Sequence, residues 1–261
     1  MPDSDRLGAD AALLFEAVRE AGDLALQMAR RGVNSWRKAD GSAVSDADLA
    51  VDRLLHERLA VRRPAYGWLS EETPDSAARL AAPMLWIVDP IDGTRGYIAG
   101  GFDWCVAAAL VHDGRAVAAA IHLPMSSEFF TAIAGQGALC NGAAIDVTSG
   151  TAVAGATVAG PRKAVAYLES LGMRAAARRE LPLQLRLAFV AAGRIDAAVS
   201  LGPKNDWDLA AGDLMVREAG GMAGTSDGAP YVYNRSEAWQ QGLIAAGRGR
   251  HAALVEALSG L

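Results

Sequence analysis

Acidic residues occur in pairs at three separate places in this 261-residue chain, each beside an apolar run. The pairs are Glu71 and Glu72 in SEET, Asp89 and Asp92 in DPIDGT, and Asp206 and Asp208 in NDWD. Carboxylates that gather at the ends of neighbouring strands repel one another unless a cation lies among them. Hard oxygen ligands suit Mg²⁺, which keeps coordination positions for water and for a substrate phosphate. Together the pairs predict a magnesium site.

Each acidic pair, taken alone, also has a structural explanation. Asp92-Gly93 is typical of a turn, Asp208 could cap a helix, and paired glutamates are commonly a solvated edge. The four histidines, at positions 56, 112, 122 and 251, lack the spacing of metal ligands and are expected to be ordinary surface or core residues. The coincidence of three acidic pairs therefore favours the metal site, and it favours a hard metal.

The hydrophobic pattern of the first half predicts the elements that position these acids. Helices are expected over residues 9–31 and about 46–61, the second capped by Ser45 or Asp46. The intervening RKADGSAVSDAD is predicted as a polar loop, and GWLSEE and MLWIVDP as short buried strands. Three further strands are expected over 104–134, because Asp113-Gly114 and Pro124 interrupt an alanine-rich run that could otherwise be helical.

A stretch low in large side chains, TSGTAVAGAT at about 148–157, marks the expected boundary between two halves. Residues 1–147 are predicted to form an α+β half with most of the metal site. Residues 148–261 are predicted to form an α/β half, because helical and strand patterns alternate there. The expected elements are helices near 161–171 and 182–192, a strand in IDAAVSL, a helix from Asp208 to Ala219, a strand in GLIAAG and a last helix in HAALVEALSG.

Composition excludes several other classes of protein. The formal net charge of −5, with no compensating basic run, argues against a nucleic-acid-binding surface. Two cysteines, Cys105 and Cys140, are too few for a disulfide framework and indicate a reducing cytoplasm. The N-terminal MPDSDRLGAD lacks the pattern of a signal peptide, and no apolar run is long enough to span a bilayer. We therefore expect a cytoplasmic protein that acts on a small molecule and not on a membrane.

The motifs WIVDPIDGT, an upstream SEE, a downstream WD and an EAGG after it resemble the inositol monophosphatase superfamily. They occur in the order and roughly at the distances found there, so the resemblance covers nearly the whole chain. It implies a lithium-sensitive phosphomonoesterase with two or three Mg²⁺ ions. It also implies a layered sandwich of α/β and α+β type with alternating α-β-α-β-α layers, in a family where homodimers are common.

The resemblance also implies roles for individual residues. The implied metal ligands are Glu71, Asp89, the Ile91 carbonyl, Asp92 and Asp208. Glu72 matches the second glutamate of the family's pair, which more often acts without touching the metal and is counted here as catalytic. Asp48 matches the aspartate that pairs with the motif threonine, Thr94. Without the resemblance, Asp48 is equally well explained as an acid in the first turn of a helix.

The implied mechanism answers a physical difficulty, since a phosphate monoester dianion repels nucleophiles until positive charge screens it. One Mg²⁺ would acidify the attacking water and a second would stabilise the leaving alkoxide. Thr94, hydrogen-bonded to Asp48, would orient that water and help remove its proton. The amides of Gly93 and Thr94, at an expected helix start, would hold phosphate oxygens, and a side chain at Gly93 would obstruct them.

The substrate is predicted from departures within the family pattern. Inositol monophosphatases usually carry an acid six positions before the WD tryptophan, where this chain has Leu201. Gly202-Pro203 and the loop KADGSAVSDAD look like the CysQ-type 3'(2'),5'-bisphosphate nucleotidases, which convert adenosine 3',5'-bisphosphate to AMP. Arg95 or Lys204 would then face the second phosphate, although either could be a solvated surface cation.

The sequence thus leaves three enzymes and one non-enzyme as expectations. Bisphosphate nucleotidase comes first, inositol-1-monophosphatase second, and histidinol-phosphatase third, because DGTR also occurs among relatives of the last. A phosphate-ligand sensor or scaffold with a disabled site is the alternative of a different class. Such a protein would be favoured by the loss of Asp48, Thr94 or a ligand carboxylate, and all of these residues are present.

Overall fold

Two helices and a small hairpin open the chain. The computed structural model describes residues 3–176 and 181–259, beginning with helix α1 (Ser4–Arg31). Strands β1 (Ser35–Arg37) and β2 (Ala43–Ser45) pair antiparallel, and helix α2 (Asp46–Leu59) comes directly after them. The segment predicted as a polar loop therefore contains the tip and second strand of a hairpin. That part of the prediction was wrong because three-residue strands carry too little pattern to be seen in a sequence.

A seven-stranded sheet comes next and supports most of the acids. Its strands, in spatial order, are β3 (Gly67–Ser70), β4 (Met84–Asp92), β5 (Cys105–His112), β6 (Arg115–Leu123), β7 (Glu128–Ile133), β8 (Ala138–Cys140) and β9 (Ala143–Ile145). The pair β3–β4 is parallel and the other pairs are antiparallel. A five-residue helix, α3 (Thr94–Ile98), leaves the end of β4.

Side chains alternate across this sheet, as the strand period of two requires. In β4, Leu85 and Ile87 face one hydrophobic core, whereas Trp86 and Val88 face another that contains α1 and α2. The alanine-rich run forms β5 and β6 as predicted. Asp113 and Gly114 between them both have positive φ, at 47° and 72°, which is the geometry of a two-residue hairpin turn.

The second half forms a five-stranded mixed sheet and its helices. The elements are β10 (Thr157–Ala159), α4 (Arg162–Ser170), β11 (Arg174–Ala175), α5 (Leu183–Ala191), β12 (Ala197–Ser200), β13 (Lys204–Asn205), α6 (Ala210–Glu218), β14 (Gly221–Gly224), β15 (Trp239–Gln240), β16 (Leu243–Gly247) and α7 (Arg248–Leu258). The sheet order is β11-β10-β12-β16-β14, and β13 pairs with β15 separately. Helix α6 begins at Ala210 and not at Asp208, because residues 206–208 form a separate 3₁₀ turn.

The layers alternate as expected. Helices α5 and α6 lie in the core between the two sheets, α1 and α2 cover the outer face of the first sheet, and α4 and α7 cover the outer face of the second. The prediction of an α-β-α-β-α sandwich is confirmed. Residues of both halves contribute to the middle core, so the boundary near residue 148 separates two sheets that share a core.

Two smaller features concern the cysteines and the helices. Both cysteines are free thiols, Cys105 buried and Cys140 half-buried. Among the described residues, no helix is both long and apolar enough to cross a bilayer.

Candidate metal centre and active site

The parallel pairing of β3 with β4 brings the first two acidic motifs together. Ser70 lies beside Val88 in the register, and the Glu71 amide continues the ladder by donating to the Val88 carbonyl at 3.4 Å. Glu71 therefore comes after β3 at the point where Asp89 continues β4. Because parallel strands end at the same edge of a sheet, acids that are 18 positions apart in sequence meet there.

A β-bulge explains how Asp89 and Asp92 can serve one site. Side chains three residues apart on a regular strand point to opposite faces. Here Asp89 pairs with Ala107 and Asp92 pairs with Cys105, so β4 contains one residue more than β5 between these pairs. The extra residue, in the stretch Pro90-Ile91, rotates the strand end and so changes the direction in which Asp92 points. A proline is tolerated at a bulge because its missing N–H is not required there.

One cavity of about 970 Å³ collects most of the predicted site residues. Those lining it are Glu71, Asp89, Ile91, Asp92, Gly93, Thr94, Arg95 and Asp208. Further lining residues that the sequence did not single out as site residues include Arg37, Asp40, Ser42, Phe102, Asp103 and Arg186. The volume is at the upper end of the roughly 300–1,000 Å³ typical of small-molecule sites.

Burial raises the pKa values of these acids, and repulsion from neighbouring acids adds to the rise for Glu71, Asp89 and Asp92. Burial, opposed by Lys38 and supported by the charges of Glu72, Asp208 and Asp92, raises the pKa of Glu71 to about 7. Burial, then repulsion from Asp208, raises the pKa of Asp92 to about 7. Burial raises the pKa of Asp208 to about 6, and the pKa of Asp89 also lies well above its usual range. Such shifts identify groups placed where a positive charge is missing.

Backbone amides hold two of these acids in place, whereas one oxygen of a third has no hydrogen-bond partner among the described residues. Asp92 accepts from the Gln184 amide at 2.6 Å, at the start of α5, and Asp208 accepts from the Asn205 amide at 3.1 Å. Asp208 is thus the third residue of a capping box begun by Asn205, on the 3₁₀ turn 206–208, and it does not cap helix α6 as the sequence suggested. Within the described residues, Asp89 Oδ1 is buried and has no hydrogen-bond partner. Buried oxygens are rarely left in this state in proteins unless something absent from the protein itself binds them.

Asp48 and Thr94 form the expected pair. Ser45 caps α2, and its amide and hydroxyl both donate to Asp48 Oδ2, at 2.8 and 2.6 Å. The other Asp48 oxygen, Oδ1, lies 3.0 Å from Thr94 Oγ1, which is also 2.9 Å from the Ile91 carbonyl oxygen. Burial raises the pKa of Asp48, and these hydrogen bonds oppose the rise. Asp48 is therefore both a first-turn capping acid and the partner of Thr94.

The packing around Gly93 requires a glycine, and the expected obstruction of a phosphate by a side chain there stays a prediction. Its φ is +99°, and a Cβ there would lie 2.7 Å from Pro182 Cγ and 2.8 Å from the Asp103 carbonyl oxygen. The backbone must therefore pass close to two other segments while in the left-handed region, which favours glycine. Helix α3 begins immediately after it, at Thr94.

Four residues singled out in the sequence do not line the cavity, namely Asp48, which contacts it through Thr94, and Glu72, Lys204 and Asp206. Glu72 is buried beside Lys38, whose ammonium donates to Glu72 Oε1 at 2.7 Å and lies 3.5 Å from Glu71 Oε1. Lys204 donates to the Pro203 carbonyl at 3.0 Å, although its charge lowers the pKa of Asp208 and so acts near the site. Asp206 is buried and accepts from Gln240 Nε2 at 2.7 Å, so the third acidic pair divides between the cavity and the core.

Two residues with structural roles at the site were missed. Lys38, in the hairpin between β1 and β2, belongs to the KADGS motif and could have been noticed as a cation beside an acidic cluster. Gln184 holds Asp92 through its backbone amide from 92 positions away and binds Trp207 O and the Gly212 amide through its side chain. A backbone contact over that separation leaves no local sequence signal.

A match to known proteins agrees with this geometry, since the model of the inositol monophosphatase family matches residues 9–260. The chain belongs to the inositol monophosphatase family. It is therefore a phosphatase, a phosphoric monoester hydrolase. The family resemblance inferred from the three motifs is confirmed.

Individual relatives span most of the chain. It is 35% identical to an inositol-1-monophosphatase of Rhizobium meliloti, covering 73% of this chain and 75% of the relative. It is also 35% identical to the Nus factor SuhB of Xylella fastidiosa, covering 80% and 79%. Among solved structures, the extragenic suppressor protein suhB of Bartonella henselae superimposes with a TM-score of 0.81 at 28% identity, covering 95% of this chain and 97% of that one.

Proposed function

We propose that this phosphatase is Mg²⁺-dependent and hydrolyses a small phosphate monoester by direct attack of water. The observation that carries the proposal is the convergence on one cavity of four carboxylates with the Asp48–Thr94 pair. Four acids with one nearby ammonium, that of Lys38, provide a place for cations, and the threonine provides a place for the nucleophile. This combination distinguishes a hydrolytic site from a merely acidic pocket.

The donors fit a hard divalent cation. All are oxygens, from Glu71, Asp89, Asp92, Asp208 and the Ile91 carbonyl, and the unpartnered Asp89 Oδ1 is among them. Within residues 3–176 and 181–259, no three His, Cys, Asp or Glu side chains are already arranged closely enough to hold an ion. Two or three ions remain the expected number.

When bound, Mg²⁺ supplies the positive charge that screens a phosphate dianion and lowers the pKa of water. The chain's own residues then handle the proton. Thr94 has one hydroxyl hydrogen and two acceptors within reach, Asp48 Oδ1 and the Ile91 carbonyl. Donation to Asp48 leaves a lone pair on Thr94 Oγ1 that can accept from an attacking water, and it leaves the Ile91 carbonyl available as a ligand. Asp48, held by Ser45, is the terminal proton acceptor.

Glu72 is proposed to act on catalysis through Lys38. The 2.7 Å ion pair between them fixes the hairpin β1–β2 against the end of β3, and this hairpin also carries Arg37, Asp40 and Ser42 to the cavity. The buried Glu72 carboxylate and its neighbour Glu71 share one ammonium. Loss of Glu72 would leave Lys38 free to pair with Glu71 and so compete with a metal ion.

For the substrate, we propose adenosine 3',5'-bisphosphate, with inositol 1-phosphate as the second candidate. Leu201, at the position of the acid expected in inositol enzymes, packs on the outer core of the second sheet, and it is not among the residues that line the cavity. The arginines that do line the cavity suit a substrate with more than one anionic group. The second candidate is supported by the 35% identical relative named inositol-1-monophosphatase.

Phosphate release from a panel of substrates tests both the dependence on Mg²⁺ and the identity of the substrate. The purified chain is assayed with adenosine 3',5'-bisphosphate, inositol 1-phosphate and histidinol phosphate, each with Mg²⁺ and with EDTA. We expect release that needs Mg²⁺ and is fastest with the bisphosphate. Fastest release from inositol 1-phosphate would establish the second candidate, and release that persists in EDTA would contradict the metal-dependent mechanism.

A further inference from the structure

Two arginines stand where the active-site cavity meets an adjoining groove. Arg37 ends strand β1 and Arg95 lies in the first turn of α3, one residue after Thr94. Both line the active-site cavity, and both also line a neighbouring groove of about 330 Å³ whose walls include Trp36 and Ile98. A ligand that extends from the cavity into this groove must pass these two residues.

Neither arginine is neutralised within the described part of the chain. Arg37 Nη1 donates to the Gly41 carbonyl at 2.7 Å, which fixes its stem across the hairpin turn. In residues 3–176 and 181–259, neither arginine has an acidic partner within ion-pair distance. Asp40 also lines the cavity, but its Oδ1 already accepts from the Ser42 amide and hydroxyl, at 2.9 and 2.7 Å.

The other cations near the cavity have different surroundings. Arg186 donates to the Leu181 carbonyl at 2.6 Å, and its charge lowers the pKa of Asp92, so it serves the acidic end. Lys38 is bound to Glu72, and Lys204 lines neither the cavity nor the groove. Arg37 and Arg95 are thus the arginines that line both the cavity and the groove, whereas the carboxylates that would hold the metal ions line the cavity alone.

We propose that Arg37 and Arg95 form a subsite for a second phosphate on the substrate. The inference rests on the proposed function, because it places the scissile phosphate beside Thr94 and beside the metal ions that the carboxylates would hold. Guanidinium groups bind phosphate oxygens through paired, charge-assisted hydrogen bonds, which a monoester without a second phosphate cannot form. The groove beside Trp36, a side chain 46% exposed, receives the part of the substrate that lies beyond the arginines.

The decisive experiment compares two substrates that differ only in the second phosphate. The kcat/KM for removal of the 3'-phosphate is measured with adenosine 3',5'-bisphosphate and with 3'-AMP, in Mg²⁺. The variants are Arg37→Gln, Arg95→Gln and Arg95→Lys. Lys204→Gln tests the lysine suggested by the sequence, and Arg53→Gln removes an arginine charge from an exposed position on α2 that lines neither cavity. The readout is the ratio of the two kcat/KM values, which corrects for general losses of activity.

We expect the wild type to favour the bisphosphate by about tenfold or more, which is the effect of one or two charge-assisted hydrogen bonds. Arg37→Gln and Arg95→Gln should bring this ratio toward one, mainly by raising KM for the bisphosphate. Arg95→Lys should keep part of the preference, and Arg53→Gln all of it.

Other outcomes separate the subsite from the general function. Equal use of the two substrates by the wild type, or a ratio unchanged in both glutamine variants, would overturn the subsite. Loss of the ratio only in Lys204→Gln would assign the second phosphate to that lysine and would also overturn it. Mg²⁺-dependent hydrolysis of 3'-AMP or inositol 1-phosphate in any of these cases would leave the proposed function standing, whereas no release from any ester would remove that function itself.

Discussion

Two groups of buried acids, the structural acids Asp10 and Asp213 and the acids of the cavity, differ in their surroundings. Asp10 accepts from Arg63 Nε at 2.6 Å and from the Tyr66 hydroxyl at 2.5 Å. Asp213 has the same two kinds of partner, Arg217 Nε at 3.0 Å and the Tyr233 hydroxyl at 3.2 Å. Each of these structural acids is thus neutralised by the protein itself.

The cavity acids, in contrast, lie mainly beside one another. Repulsion from Asp208 and Asp92 contributes to the raised pKa of Glu71, and Asp89 Oδ1 is buried without a partner among the described residues. Burying like charges together costs stability unless a cation is supplied. Burial alone therefore does not identify a candidate metal ligand in this protein, since Asp10 and Asp213 are also buried. The acids proposed to bind metal are buried among other acids, without the arginine and tyrosine that neutralise Asp10 and Asp213.

The largest effect should result from removing the central cavity acid. Asp89→Asn keeps the shape of the side chain but removes a ligand charge, so Mg²⁺-dependent phosphate release should fall by about 10³-fold or more, the loss of some 4 kcal/mol of transition-state stabilisation. Thermal unfolding without metal should not be lowered, because the substitution removes a charge that its neighbours repel. Retained activity in this variant would show that Asp89 is no metal ligand.

Substitution of asparagine for a structural acid should have the opposite effect, a loss of stability with activity retained. Asp213→Asn leaves Arg217 without its ion pair in the core between the sheets and should lower the free energy of unfolding by about 3 kcal/mol. Activity per folded molecule should remain near the wild-type value. Denaturant unfolding and a rate corrected for the folded fraction measure the two effects. A stable but inactive Asp213→Asn protein would contradict the division between the two kinds of acid.

The third prediction concerns Thr94 and Asp48, the pair proposed to accept the proton of the attacking water. Thr94→Val removes the hydroxyl that bridges Asp48 and the Ile91 carbonyl but keeps the branched shape, so kcat should fall by about 10²-fold. Metal binding should be kept, because the carboxylates are unchanged. Thr94→Ser, which restores the hydroxyl, should recover most of the rate; failure of serine to do better than valine would exclude a role for the hydroxyl.

The fourth prediction concerns the dependence of stability on pH. The folded chain holds protons on Glu71 and Asp92 up to about pH 7 and on Asp208 up to about pH 6, whereas the unfolded chain loses them near pH 4. Because the pKa values are raised in the folded state, stability contributed at low pH is lost as the pH rises from about 4 to 7. Melting in EDTA should show this loss.

Mg²⁺ should offset the loss of folding stability that occurs as the pH rises. At about 100 times its dissociation constant it should add about 2.7 kcal/mol to the free energy of unfolding, or several degrees in Tm, and more at pH 7 than at pH 5. Asp89→Asn provides the control, since it should lose this gain. Equal stabilisation of both proteins, or no dependence of the gain on pH, would indicate that Mg²⁺ binds elsewhere.

Much of the fold could be predicted from the sequence, because strong local patterns indicate its longer helices and strands. The long helix α1, the strands around Asp113-Gly114 and the acids at the end of β4 each had a periodic or turn signal within a short window. Strands of two or three residues, such as β1, β10 and β11, were not foreseen. Their pairing is fixed by the surrounding layers and not by their own residues.

The site was predicted in its residue types but not in its spatial arrangement. The spacing of DPIDGT indicated two ligands and a threonine, yet it did not reveal the bulge that turns Asp89 and Asp92 to one side. It also did not reveal that Asp206 would face the core and pair with Gln240. Both features depend on strands paired from elsewhere in the chain, which a local motif cannot encode.

The central claim is that the cavity acids, and not the structural ones, bind a divalent cation. Mn²⁺ prefers the same oxygen donors as Mg²⁺, and its free form can be counted by electron paramagnetic resonance. We predict saturable Mn²⁺ binding by the wild type and by Asp213→Asn, with at least a tenfold weaker affinity in Asp89→Asn. Equal Mn²⁺ binding by the wild type and Asp89→Asn would contradict the claim.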